Sequence, residues 1–259
     1  MSHSAESPQV VQEIITSLRK KQPLYRYEPL ENGLKLNYSD LNDKTLIAVI
    51  GPTGVGKSTL TDEVLRLDSD IRPVGTTTTR ERRPSDPIEF KTANEGVTHM
   101  SMNQAIIEGV MVNYSVNDTG HVYGTMPEDF HGEHNIGPIL SDSIDNLMTA
   151  GFKEFSPIFV AARGLVYQQR LEKERLDFPD ISKRLVEAMG SITFARMNAD
   201  ASWLSFIDTG DSPESLHSAA SDVVRIAHQN THPVMLLNHR LMLLDEMETA
   251  VHAVARQVR

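Results

Sequence analysis

The sequence contains no cysteine, and it has little of several other features that define whole classes of protein. Without cysteine, no disulfide can form and no metal site can use thiolate ligands. No apolar run approaches the roughly 20 residues that a membrane helix needs. The N-terminus MSHSAESPQV also lacks the charged-then-apolar order of a signal peptide. We therefore expect a cytoplasmic protein.

Basic residues are also in short supply, since 25 lysines and arginines face 35 aspartates and glutamates, for a net charge of -10. A general nucleic-acid binder needs a clustered basic face to neutralise phosphates. We expect neither a nucleic acid nor a membrane as partner. Any anionic ligand must be bound by local cations.

The order of apolar residues predicts an α/β protein. Short apolar runs alternate with helical stretches from Thr45 onward, which is typical of a mostly parallel sheet. The predicted strands are TLIAVI, VMVNYSV, GPILSDSI, SPIFVAA and WLSFIDTG. Outside this region, helical spacing predicts an amphipathic helix over 9–21 and another from Leu237 to Val254, and LYRYEPLENGLKLNY predicts a hairpin. The terminal helices are candidate surfaces for homo-oligomer formation.

The stretch TLIAVIGPTGVGKSTL contains the pattern G-x-x-x-x-G-K-[ST] from Gly51 to Ser58, between a predicted strand and a predicted helix. In such a loop, glycines allow backbone N–H groups to converge on phosphate oxygens and the helix N-terminus adds its dipole. Lys57 would contact the β- and γ-phosphates, and the Ser58 hydroxyl would bind Mg²⁺. The pattern predicts that the loop binds a nucleoside triphosphate with Mg²⁺. The predicted nucleotide-binding residues are Gly51, Pro52, Thr53, Gly54, Val55, Gly56, Lys57, Ser58 and Thr59.

A second cluster, TTTTRERRP, follows about 20 residues later in an otherwise acidic chain. Arginine binds phosphate through two parallel hydrogen bonds, and hydroxyls add neutral donors. The cluster indicates a second, phosphate-bearing molecule, although a solvated loop with surface salt bridges would also explain it.

These stretches, with YGT at Tyr123–Thr125, resemble the guanylate kinase family, in which the same segments occur in the same order. IFVAARGLVYQQRLEKER resembles the lid region of that family, and FIDTGDSPESLHSAASDVV resembles its last strand and helix. The resemblance covers residues 45–228, with 1–44 as an N-terminal extension and 229–259 as a C-terminal helix outside it. It implies a P-loop kinase three-layer fold with a central parallel sheet, an acceptor-binding insertion near 76–130 and a lid near 163–185.

The resemblance also implies a role for each matching residue. The implied acceptor-binding residues are Thr76, Arg80, Arg83, Asn113, Tyr123 and Thr125. The implied lid and transfer residues are Arg170, Arg175 and Arg184, together with Lys57 and Arg80. Asp208 occupies the adenine-contacting position, and Asp142 is the candidate carboxylate for Mg²⁺, directly or through water.

The base-reading position departs from the family, which has a glutamate there. Asn113 is the best match, and Tyr114 is the alternative one residue later. An amide presents an oxygen without the charge that suits two N–H donors at once.

We expect small nucleotides as partners and an ATP-dependent nucleoside monophosphate kinase activity, most simply GMP to GDP. One alternative is a kinase of the same fold for another nucleotide or a phosphosugar such as ribose 1,5-bisphosphate. Another is a non-catalytic nucleotide-binding or scaffold module. His131 and His134, spaced H-x-x-H, could also ligate a metal, although they are more simply explained as ordinary surface histidines.

Overall fold

The computed structural model describes residues 6–22, 38–83, 88–117, 119–177 and 181–258. The hairpin predicted over LYRYEPLENGLKLNY falls almost entirely outside these residues. The helices are α1 (Pro8–Lys21), α2 (Lys57–Leu67), α3 (His99–Ile107), α4 (Ile144–Met148), α5 (Gly164–Asp177), α6 (Ile181–Met197), α7 (Pro213–Gln229) and α8 (Leu237–Val258). The strands are β1 (Thr45–Ile50), β2 (Ile71–Pro73), β3 (Thr76–Thr78), β4 (Phe90–Lys91), β5 (Asn113–Val116), β6 (Val122–Thr125), β7 (His134–Pro138), β8 (Glu154–Ala161) and β9 (Ser205–Asp208).

The chain divides into two compact units. The first unit comprises Met1–Lys44, Pro73–Asn135 and Asp142–Lys153, and the second comprises Thr45–Arg72, Ile136–Ser141 and Glu154–Arg259. The sequence-based division at residues 44 and 228 follows chain order. The contacts instead group the described part of the N-terminal extension with the predicted insertion.

The second unit is built on a central parallel sheet of five strands in the order β2-β7-β1-β8-β9. Strand β1 pairs in parallel with β8, and β8 pairs in parallel with β9. All six residues of β1 are buried, as expected for a strand covered on both faces. This arrangement confirms the predicted α/β class and is consistent with a P-loop kinase fold.

The helices of the second unit pack as two groups. Helix α2 packs against α7, and α8 packs against both α5 and α6. The buried side chains of α8 recur at helical spacing and are Leu243, Leu244, Met247, Ala250, Val251 and Val254. The tail helix that the sequence predicts is therefore confirmed, and it covers the helices of the predicted lid region.

The first unit is built on a four-stranded sheet in the order β4-β3-β6-β5. One face of this sheet packs against α1 and α3. The shared core contains Ile15 and Leu18 from α1, Met102 and Ile106 from α3, and Met111, Tyr114, Val116 and Val122 from the β5–β6 hairpin and its approach. Helix α1, predicted from its periodicity over 9–21, is confirmed as an integral part of this core.

The strand predicted over GPILSDSI was placed wrongly. The strand there, β7, ends at Pro138, and Ser141–Ser143 forms a 3₁₀ turn that leads directly into α4. Short polar side chains compete for local hydrogen bonds, and the Ser143 hydroxyl lies 3.4 Å from Asp142 Oδ1. VMVNYSV does contain a strand, β5, but its partner β6 is antiparallel and belongs to the four-stranded sheet.

The helices of the described residues include none that is both long enough and apolar enough to cross a membrane.

Candidate functional site

The loop from Gly51 to Ser58 connects β1 to α2, as the motif requires. Gly51 has a φ of 145°, and a Cβ there would lie 2.9 Å from the carbonyl oxygen of Val160. Gly56 is the N-cap of α2 with a φ of 106°, and a Cβ there would meet the Arg170 guanidinium at 3.2 Å. Both positions therefore favour glycine, because other residues rarely adopt such φ values, and at Gly51 a Cβ would also collide with the backbone of β8.

Lys57, the first residue of α2, folds back over this loop. Its Nζ donates to the carbonyl oxygens of Gly51 at 2.6 Å and Pro52 at 2.9 Å. The ammonium group is thus held above the backbone that would surround a phosphate. Ser58 and Thr59 follow in the exposed first turn of α2, where backbone N–H groups have no intrahelical acceptor.

Two of the three predicted lid arginines contact the loop. Arg170 on α5 donates to the carbonyl oxygens of Val55 at 2.5 Å and Gly210 at 3.1 Å. Arg184 on α6 donates to Thr53 Oγ1 at 3.0 Å. Burial lowers the pKa of Arg170, against the opposing effect of nearby Asp208 and Asp211. The second unit therefore gathers a lysine and two arginines around one glycine-rich loop.

The third predicted lid residue, Arg175, lies in α5, but its side chain is outside the described part of the structure. Tyr167, also on α5, is fully buried and donates its hydroxyl to the carbonyl oxygen of Thr53 at 3.1 Å. Sequence reasoning did not identify this anchor, because a tyrosine inside a helical stretch carries no motif.

Asp208 ends β9 and accepts a hydrogen bond from the Gly210 N–H at 2.9 Å. Its other carboxylate oxygen lies 3.8 Å from Nε of Arg163, which follows β8. Arg163 was missed in the sequence, although its place directly after a buried strand could have indicated it. Contacts with adenine at Asp208 remain a prediction.

These residues fit a magnesium triphosphate. Gly51, Gly54 and Gly56 all have positive φ values, a conformation that lets successive backbone N–H groups of a loop converge on a phosphate. Lys57 and Arg170 supply positive charge, and the Ser58 hydroxyl is available as an oxygen ligand for Mg²⁺.

In the first unit, strand register places most of the predicted acceptor residues on one face of the four-stranded sheet. Asn113 lies opposite Thr125, Ser115 lies opposite Tyr123, and Thr78 also lies opposite Tyr123. Since side chains alternate along a strand, Thr76 shares the face of Thr78. We call this surface the Asn113 face; it comprises Thr76, Thr78, Asn113, Ser115, Tyr123 and Thr125.

Register also separates Asn113 from Tyr114, the two alternatives for the base-reading position. Tyr114 points to the opposite face, is fully buried in the core with α1, and donates its hydroxyl to Leu18 O at 3.0 Å. That burial raises the pKa of Tyr114. Tyr114 is therefore a core residue, and Asn113 is the one that shares a face with Tyr123 and Thr125.

Two polar atoms on the Asn113 face are buried and unsatisfied. The side chains of Asn113 and Thr125 are 6% and 5% exposed. Within the described part of the chain, neither Asn113 Oδ1 nor Thr125 Oγ1 has a hydrogen-bond partner. Buried polar atoms are nearly always paired, so this adjacent pair indicates a place for a ligand with hydrogen-bonding groups.

Arg80 is buried beside the same face. Its guanidinium carbon lies 5.9 Å from the ring centroid of Tyr123 and 5.8 Å from that of Phe90, and its Nη1 donates to Glu81 O at 2.8 Å. Arg83 is exposed. The structure thus brings Arg80 and Tyr123 together, as the resemblance implies.

His121, two residues before Tyr123, was missed by sequence reasoning. Burial lowers its pKa, and the nearby positive groups of His99, Arg80 and Arg83 lower it further. His99 is held by Thr79 Oγ1 at 3.3 Å and Gly120 O at 3.1 Å from its Nε2. Arg80 and Arg83 would stabilise an anion bound near this group.

Asp142 lies in the first unit, whereas Ser58 lies in the second, so their joint role at Mg²⁺ remains a prediction. The Asp142 carboxylate accepts hydrogen bonds from Gln22 Nε2 at 2.6 Å and from the Ser115 hydroxyl at 3.1 Å. Among the described residues, no three histidines, aspartates or glutamates lie close enough to hold a metal ion. The pair His131 and His134 therefore has no additional ligand of these types in that part of the chain.

Comparison with known proteins gives likenesses to solved structures alone. No protein-family model and no curated protein matches the sequence. The fold is similar to the crystal structure of guanylate kinase from Anaplasma phagocytophilum, with a TM-score of 0.48, 13% sequence identity, and coverage of 72% of this chain and 85% of that one. A likeness this distant assigns neither an activity nor a substrate.

Proposed function

We propose that the protein is an ATP-dependent kinase that transfers the γ-phosphoryl group to a nucleoside monophosphate, most simply GMP to GDP. The observation that carries this proposal is the loop from Gly51 to Ser58, with Lys57 folded over it and Arg170 and Arg184 in contact with it. A glycine turn with a chance lysine would not gather two further arginines.

The residues of the second unit would act by positioning and by neutralising charge. Phosphoryl transfer spreads negative charge over the transferred group, and it needs no covalent intermediate with the protein. The loop amides and Lys57 would hold the β- and γ-phosphates, and Arg170 and Arg184 would stabilise the charge on the transferred group. Mg²⁺, bound through Ser58, would supply further positive charge at these phosphates.

The residues of the first unit would hold the acceptor. Arg80, Arg83 and Tyr123 would bind its phosphate through charged and neutral hydrogen bonds. Asn113 and Thr125 would contact its base, since their buried oxygens lack protein partners in the described residues.

A second candidate function keeps the kinase chemistry and changes the acceptor to another nucleotide or a phosphosugar such as ribose 1,5-bisphosphate. Asn113 favours it, because an amide oxygen lacks the charge that would suit the paired N–H donors of guanine. A non-catalytic scaffold is less well supported, because the chain retains Lys57 and the arginines that catalysis would need.

The test is a panel of candidate monophosphates, each incubated with ATP and Mg²⁺ and scored for ADP release. We expect at least one nucleoside monophosphate to raise ADP release well above the rate with ATP alone. Stimulation by a phosphosugar alone would favour the second candidate. A rate that no acceptor changes would contradict both.

A further inference from the structure

The end of helix α1 meets the β5–β6 hairpin at three points that sequence reasoning did not assign. Leu18 O accepts the Tyr114 hydroxyl at 3.0 Å, and Arg19 Nη2 donates to Asn117 O at 2.7 Å. The third point is Gln22, which follows the helix and is only 7% exposed.

Gln22 uses both ends of its amide. Its Oε1 accepts the backbone N–H of Val116 at 3.0 Å, and its Nε2 donates to Asp142 Oδ2 at 2.6 Å. Strand β5 is at the edge of the four-stranded sheet, so its outward N–H groups need partners from outside the sheet. The buried Gln22 side chain thus pairs with an N–H group at the edge of β5 and also holds the Asp142 carboxylate in place.

The Asp142 carboxylate also contacts the Asn113 face. Asp142 also accepts the Ser115 hydroxyl, at 3.2 Å to Oδ1 and 3.1 Å to Oδ2. Ser115 is on the Asn113 face, two residues from Asn113 on the same strand. A hydrogen bond to a carboxylate is stronger than a neutral one, so Gln22 restricts the rotation of an otherwise exposed Asp142.

We infer that Gln22 is a positioning residue for acceptor binding, through which the N-terminal segment controls the geometry of the Asn113 face. The inference rests on the proposed function only in that the ligand of this face is the acceptor. The segment before the nucleotide-binding loop is then part of the acceptor site.

Two substitutions separate the two contacts of Gln22. Gln22→Ala removes both. Gln22→Glu keeps an oxygen that accepts the Val116 N–H, but it cannot donate to Asp142 when ionised and sets a second carboxylate beside it. Gln12→Ala, on the exposed side of the same helix, is the matched control.

Hydrogen exchange at the Val116 amide tests the contact without any need for activity. We expect exchange to accelerate in Gln22→Ala and to remain slow in Gln22→Glu and Gln12→Ala. Unchanged Val116 protection in Gln22→Ala would overturn the inference, whether or not the protein is a kinase.

Steady-state kinetics test the consequence. We expect both Gln22 variants to raise the KM for the acceptor about fivefold or more, while the KM for ATP stays within about twofold. An acceptor KM that stays at the wild-type value in Gln22→Glu, or an equal rise in both KM values, would overturn the inference. If wild-type protein phosphorylates no acceptor, the proposed function and the acceptor role of Gln22 both fail, and the exchange result decides only whether Gln22 pairs with the edge of β5.

Discussion

Arg82 and Arg83 are neighbours in the sequence, but their surroundings differ. Arg82 donates from Nε to Glu95 at 3.0 Å and from Nη2 to the carbonyl oxygen of Phe90, and its backbone N–H donates to Asn94. Hydrogen bonds from Thr92, reinforced by Arg82, lower the pKa of Glu95 to about 2. Arg82 therefore stabilises the conformation of its loop. The exposed Arg83 is the better candidate for a phosphate contact.

We predict that Arg83→Ala raises the acceptor KM about tenfold, the effect of losing about 1.4 kcal/mol of binding, and leaves the KM for ATP unchanged. Arg82→Ala is the matched control. It should lower the melting temperature by roughly 2–4 °C, as expected for a loss of about 1 kcal/mol, with a smaller effect on the acceptor KM. Equal effects of Arg83→Ala on both substrates would place Arg83 outside the acceptor site.

Asn113 is the residue at which the choice of base can be tested. We predict that Asn113→Asp improves kcat/KM for GMP by roughly tenfold over wild-type protein, because a carboxylate accepts two N–H donors more strongly than an amide. The aspartate adds charge without adding volume, so the buried position can accommodate its shape. Kinetics with GMP and AMP would measure the change.

Asn103→Asp is the control for added negative charge, since Asn103 lies on α3, which packs against the opposite face of the sheet. If wild-type protein already uses GMP at a typical kinase rate and Asn113→Asp has no effect, Asn113 does not read the base.

At the scale of elements, α8 determines how the predicted lid helices are held. Glu246 on α8 accepts the N–H of Gly164, the first residue of α5, at 2.9 Å, and lies 3.5 Å from Arg163. On the other helix, Arg196 pairs with Asp245 at 2.7 Å and with Glu248 at 2.8 Å. A helix outside the resemblance to guanylate kinases thus braces both α5 and α6.

Two helical glycines give a test of this bracing. A Cβ on Gly164 would lie 2.9 Å from Glu246 O and 3.0 Å from Glu246 Cβ, whereas a Cβ on Gly190 meets nothing within 4 Å. We predict that Gly164→Ala lowers the free energy of unfolding by about 1–3 kcal/mol through overpacking. Gly190→Ala should raise it by about 0.5–1 kcal/mol, because alanine favours the helix. Urea unfolding would measure both, and a stabilising Gly164→Ala would show that α5 and α8 are not in close contact there.

Periodicity in the sequence was sufficient for the long elements. Helices α1 and α8 were predicted from their apolar spacing, and strands β1, β8 and β9 were predicted from short apolar runs. Strands β2, β3 and β4 have two or three residues each, too few to show any alternation. The turn at Ser141–Ser143 was missed because its cause is local side-chain hydrogen bonding.

The parts of the candidate site that a sequence motif defines could be predicted. The parts that depend on the register of the strands could not. The glycine loop and Lys57 follow from spacing alone. The choice between Asn113 and Tyr114 does not, because a shift of one residue moves a side chain to the other face of the sheet. Gln22 contacts Val116, which is 94 positions away in the chain, and Arg163 contacts Asp208, which is 45 positions away. Contacts between residues so far apart have no signature in the sequence.

The whole molecule carries a net charge of -10, so the binding of an anionic ligand depends on the cations near its site. An acidic protein repels a polyphosphate at long range, so binding depends on charge concentrated at the loop. We predict that Lys57→Ala lowers turnover by about a hundredfold or more, since one oriented electrostatic contact is worth roughly 3 kcal/mol in the transition state. Lys20→Ala, at the exposed end of α1, should keep wild-type turnover. A Lys57 variant that retains near-normal turnover would exclude the proposed role of the loop.

The central claim is that the γ-phosphoryl group passes from ATP to a monophosphate acceptor. The most direct measurement follows the label from γ-³²P-ATP, incubated with Mg²⁺, wild-type protein and the monophosphate that most stimulates ADP release. We predict that the label appears in the phosphorylated acceptor, in proportion to the ADP formed. Label found only in inorganic phosphate, or left in ATP with every acceptor, would contradict the account.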